Sequence, residues 1–100
     1  ADSLQSGQAA SPIAAPIPVS SAQEIHVDFP STQTHIFVAQ LGMAMNDPDY
    51  FPLYVGNHVL GGGGFISRLM EEVRSKRGLS YSVYSYFQPM QQTGPFLVGL

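Results

Sequence analysis

The stretch GGGGFISRLMEEVRSKRGLSYSV, Gly61 to Val83, decides the fold. Within it Ile66, Leu69, Met70 and Val73 recur at i, i+3, i+4 and i+7, which predicts a helix over residues 66–77 with Gly78 as its C-terminal stop. Glu72 and Lys76 add an exposed i, i+4 pair on that helix. Beyond the stop, Tyr81, Val83 and Phe87 alternate with Ser82, Tyr84 and Tyr86, so residues 81–88 read as a strand. The glycine run has two readings. A glycine-rich turn leading into a helix offers free N–H groups to an anion, yet the Gly-x-x-x-x-Gly-Lys-Ser/Thr spacing of a phosphate loop is absent. The better reading lets Gly61 end a preceding helix while the remaining glycines reverse the chain, so that two helices pack side by side on one sheet face.

Working outward, Asn46-Asp47-Pro48-Asp49 supplies capping oxygens, a proline and negative charge for a helix reaching about Leu60. Pro52 fits only within the first turn, which makes Asp49 a competing cap. Phe51, Val55 and Val59, with Tyr54 and Leu60 beside them, give that helix an apolar face. Upstream, Thr34 to Gly42 reads as a strand covered on most of both faces. Ile25, Val27 and Phe29 alternate with His26 and Asp28, a period-2 strand signature ahead of a polar turn at Pro30 to Gln33. Residues 1–22, rich in Ser, Ala, Gln and Pro, form a linker or extended arm, and residues 23–100 form the folded part. After a turn at residues 89–94, Phe96 to Leu100 begins a last strand. The order is β-β-α-α-β-β, an α+β fold with a mostly antiparallel sheet and two helices on one face. The last strand breaks off without a polar end, which suggests a partial lobe truncated at its C-terminus. An exposed sheet edge then favours self-association.

Composition narrows the function. A net charge of −3 with four Lys and Arg leaves little for counterion release, which argues against nucleic acid as partner. With no cysteine there is neither a disulfide framework nor a thiolate nucleophile. No stretch is apolar for long enough to span a membrane, and an export signal, if one exists, lies outside this chain, which leaves the compartment undetermined, periplasmic or other exported locations included.

The string NHVLGGGGFISRLMEEVRSKRGLSYSV, with Asn57, Leu60 to Gly62, Ser67 to Leu69, Arg74, Gly78, Leu79, Tyr81 and Ser82 in pattern, resembles the insulinase, or pitrilysin, family of zinc metallopeptidases, in particular the non-catalytic, C-terminal type of lobe. The resemblance implies part of a metalloenzyme-like, processing-peptidase-like fold and about half of one lobe. It also implies a catalytic lobe or subunit elsewhere that carries zinc on an inverted His-x-x-Glu-His motif. That motif is absent here, so no catalytic residue and no metal ligand is assigned, no cofactor is expected in this chain, and the chain alone should not hydrolyse peptides.

For the non-catalytic lobe the resemblance implies a substrate-gripping pair, which falls on Arg74 and Tyr81. Both side chains are donors that could meet a peptide carbonyl oxygen as it acquires charge. The alternative for Arg74 is a solvated helix residue paired with Glu71, and for Tyr81 a sheet-packing aromatic. Gly61, Gly62, Gly63 and Gly64 become a candidate substrate-contact loop, since one family branch uses a longer glycine loop in that way. His26 and His35, facing across the first hairpin, offer two imidazoles without a carboxylate at fixed spacing, and no metal is assigned to them. The expected partners are the zinc-bearing lobe and a peptide substrate. The runner-up function is a structural, non-proteolytic relative, such as a core subunit of a larger complex. An unrelated small binding domain would require the motif to be coincidence.

Overall fold

The computed structural model describes residues 7–100; the first six residues of the expected arm lie outside the described residues. Three strands form an antiparallel sheet in the order β1-β3-β2, with β1 at Phe37–Leu41, β2 at Tyr84–Phe87 and β3 at Pro95–Gly99. The α+β class therefore stands. Val38 faces Val98 and Ser85 faces Val98 from the other side, so β3 is paired on both edges.

The expected strand at residues 25–29 does not form. Ile25, Val27 and Phe29 are 81%, 76% and 78% exposed. The chain folds back at Phe29, whose carbonyl accepts the Ser31 N–H at 2.7 Å. Alternation describes a segment suited to a half-buried strand, and burial needs a layer to pack on. The first helix and its continuation, residues 50–62, sit against β2, leaving every residue of β1 exposed, so nothing near β1 covers such a strand. The same fact corrects the expectation that the Thr34–Gly42 strand is covered on both faces. His26 consequently does not face His35; its ring nitrogen lies 3.0 Å from Asp28 Oδ1.

The first helix, α1, runs Tyr50–Asn57 and continues as a wide π turn through His58–Gly62. Asp49 is the N-cap position, but its side chain makes no capping bond; its own N–H donates to Asp47 Oδ1 at 2.9 Å. Pro52 falls in the first turn, where a missing N–H costs nothing because no intrahelical acceptor is available there. The face carrying Phe51, Val55 and Val59 points outward, at 74%, 62% and 56% exposure, against expectation. The face turned in carries Pro52, Leu53 and Leu60, which line a small pocket with Phe87 and Phe96, together with Asn57. Asn57 Nδ2 donates to the Ser85 carbonyl at 3.1 Å while Ser85 Oγ donates to Asn57 Oδ1 at 2.6 Å, and this reciprocal clamp pins that face to β2.

Gly61 does not end the helix. It is buried inside the π turn, and a Cβ there would lie 2.6 Å from Ser85 N and 2.8 Å from Leu69 Cδ1. Its role is close approach to β2. The reversal comes at Gly64, with φ +62°, which opens a short 3-10 turn, Gly64–Ile66. Ile66 is 86% exposed and lies outside the helical stripe. The second wide helix, α2, spans Met70–Ser75 and ends at Gly78, φ +61°. The core is small: Met43, Met70 and Val83 are its buried apolar residues, and the Val83 N–H points at the Met70 sulfur at 3.5 Å.

Candidate functional site

The sequence brings Arg74 and Tyr81 together through the glycine stop. Gly78 N–H donates to the Arg74 carbonyl at 2.9 Å and Leu79 N–H to the Val73 carbonyl at 3.0 Å. These bonds satisfy the last carbonyls of α2 and turn the chain back along it, as a left-handed glycine allows. Ser80 Oγ then donates to the Ser82 carbonyl at 2.6 Å, bracing the turn that holds Tyr81. The result places the Arg74 guanidinium over the Tyr81 ring, 5.2 Å from its centroid. Tyr81 precedes β2 rather than starting it, and is 84% exposed. It is not a sheet-packing aromatic.

Nor is Arg74 a partner of Glu71. Lys76 Nζ lies 2.7 Å from Glu72 Oε1 and 3.9 Å from Glu71 Oε1, and Arg77 Nη1 lies 3.6 Å from Glu72 Oε2. Hydrogen bonding to Lys76, then the Lys76 charge, holds the Glu72 carboxyl below its ordinary value, and the same bond raises Lys76. Among the described residues the ion pairs on α2 thus use Lys76 and Arg77, while Arg74 meets aromatic rings. The second ring is Phe65, with its centroid 5.0 Å from the guanidinium carbon. A guanidinium over ring faces keeps its N–H donors, which lie in its own plane, available for an acceptor.

The glycine run lies close by. Gly61, Gly62 and Gly64 line an open groove of about 500 Å³ together with Phe65, Tyr54 and Tyr84. Phe65 thus belongs both to the wall of this groove and to the surroundings of Arg74. Sequence reading missed two features. The Asn57–Ser85 clamp was present only as a motif residue, and Phe65, which sits four positions before Leu69 and eight before Val73, was not singled out from the apolar residues of the helix period. Among the described residues no group of three or more His, Asp or Glu could hold a metal. No helix among them is long and apolar enough to cross a membrane.

Comparison with known proteins follows the same line. The family described as the peptidase M16 inactive domain matches residues 2–100. An uncharacterised zinc protease of Streptomyces coelicolor, SCO5738, is 45% identical over 64 residues, 64% of this chain and 14% of that protein. An uncharacterised zinc protease of Bacillus subtilis, YmxG, is 39% identical over 62 residues, 62% of this chain and 15% of its own length. The crystal structure of a peptidase M16 inactive domain from Pseudomonas fluorescens superimposes with a TM-score of 0.70 at 60% identity, covering 72% of this chain and 18% of that one. The chain therefore spans less than a fifth of each of these proteins.

Proposed function

The chain belongs to the peptidase M16 inactive-domain family, and from that premise we propose that it is a substrate-gripping part of a zinc metallopeptidase, working across a chamber from a separate zinc-bearing lobe. The observation that carries the reading is the state of Arg74: half-buried, over the Tyr81 ring at 5.2 Å, with the nearby carboxylates of α2 engaged by Lys76 and Arg77. An arginine without a carboxylate partner has its donors to spare. Arg74 offers a planar fork and Tyr81 a phenolic O–H, and both are suited to a peptide carbonyl oxygen as it gains negative charge. Such donors accelerate a reaction because they are oriented before the charge appears.

Zinc belongs to the named relatives, and among the described residues of this chain no group of His, Asp or Glu fits a site for it. The chemistry assigned to this chain is binding and orientation of the peptide. The glycine turn contributes backbone to one part of the groove wall, beside the side chains of Tyr54, Phe65 and Tyr84.

Peptide cleavage measured with the zinc-bearing lobe present, on the same chain or as a separate subunit, tests the reading. Arg74→Ala should lower kcat/KM by roughly 10²- to 10³-fold, the usual loss for one donor to a developing oxyanion. Tyr81→Phe should cost about two- to tenfold, as for one neutral hydrogen bond. Arg77→Ala should leave the rate unchanged. Equal rates for Arg74→Ala and Arg77→Ala would refute it.

A further inference from the structure

Arg74 has an aromatic neighbour that the Arg74–Tyr81 pairing leaves unexplained. Phe65 is 72% exposed, so its ring adds little to the core, yet its centroid lies 5.0 Å from the Arg74 guanidinium carbon. The backbone beneath that ring is tied down. Ser67, fully buried, donates twice to the Gly64 carbonyl, from its N–H at 3.0 Å and from its Oγ at 2.7 Å. Its own carbonyl accepts the Glu71 N–H at 3.0 Å, joining the turn to the start of α2. Gly64, at φ +62°, sets the direction in which the turn presents Phe65.

We propose that Phe65 is a positioning residue for Arg74. A free arginine side chain samples many rotamers, and ordering it when a ligand arrives costs free energy. Ring faces at Phe65 and Tyr81 hold the guanidinium in one place beforehand, so its donors are oriented when the peptide carbonyl arrives. The glycine turn then acts on substrate indirectly, by fixing Phe65. This deepens the gripping role proposed above and rests on it.

Two measurements keep the proposals separable. In the chain as it stands, NMR of the Arg74 side chain should show upfield ring-current shifts that Phe65→Leu reduces and Phe65→Tyr retains. With the zinc-bearing lobe present, Phe65→Leu should lower kcat about two- to fivefold, the value of an exposed cation–π contact. Phe65→Tyr should restore it, and Phe65→Leu should have no further effect in an Arg74→Ala background. Unchanged Arg74 shifts in Phe65→Leu, or an equal rate loss with and without Arg74, would overturn the positioning role while leaving the gripping role standing. Ring-current shifts as expected, with Arg74→Ala fully active, would sink the gripping role and with it any effect of Phe65 on substrate.

Discussion

The two flanks of the sheet are treated differently. On the β2 side the chain has filled the edge: Asn57 takes the Ser85 carbonyl, the Met70 sulfur takes the Val83 N–H, and Gly61 lets the π turn press against the strand. On the β1 side nothing comparable happens. Ile36 and Leu100 exchange both backbone bonds, and Gly42 donates to Gly94, so the alternation of an antiparallel ladder leaves Phe37, Ala39 and Leu41 presenting their N–H and C=O groups outward. Both flanks carry apolar side chains. Polar pins and a close-packed glycine, rather than apolar content, distinguish the finished edge from the open one.

Breaking the finished edge should have the largest effect. Gly61→Val puts a branched side chain against Ser85 and Leu69 and should cost about 3 kcal/mol in urea denaturation, the upper end for overpacking. Asn57→Ala strands a buried hydroxyl at Ser85, which is 2% exposed, and should cost about 1 to 3 kcal/mol. In the exposed segment at residues 25–29, Val27→Ser should change stability by no more than about 0.5 kcal/mol, because that side chain is 76% exposed. The smallest effect belongs to the exposed pair on α2. Glu72 is held below its ordinary value, so its contribution is present above that value and fades as acid takes the pH down through the lowered one. Lys76 is raised, so its contribution is complete below its ordinary value and fades as the pH climbs through the raised one. Denaturation midpoints across pH, at low and high salt, should show this small dependence weaken with salt.

These contrasts explain what could be read from the residues. Both strands flanking the turn at residues 89–94 were legible because each has a partner, and alternation there coincides with real pairing. The segment at 25–29 has the same alternation without a neighbour, and periodicity does not report whether a covering layer exists. The outward face of α1 was misread for a related reason. Apolar residues lie on more than one side of it, and the partners that choose between those sides, Phe87 and Phe96 beside Leu53 and Leu60 and Ser85 bonded to Asn57, lie outside the helix's own sequence. The pairing of Arg74 with Tyr81 came from the family resemblance alone, and the structure supplies its physical cause: a helix ending in glycine brings the following residues back along its last turn. The approach of Phe65 depends on how a glycine-led turn is braced by Ser67, a matter of tertiary hydrogen bonding.

A double-mutant cycle on Arg74 and Tyr81, read as kcat/KM for peptide cleavage with the zinc-bearing lobe present, addresses the central claim most directly. If the two side chains act on one substrate group as a unit, Tyr81→Ala will cost substantially more in the native background than in Arg74→Ala. Equal costs in both backgrounds would mean that their proximity has no bearing on how substrate is held.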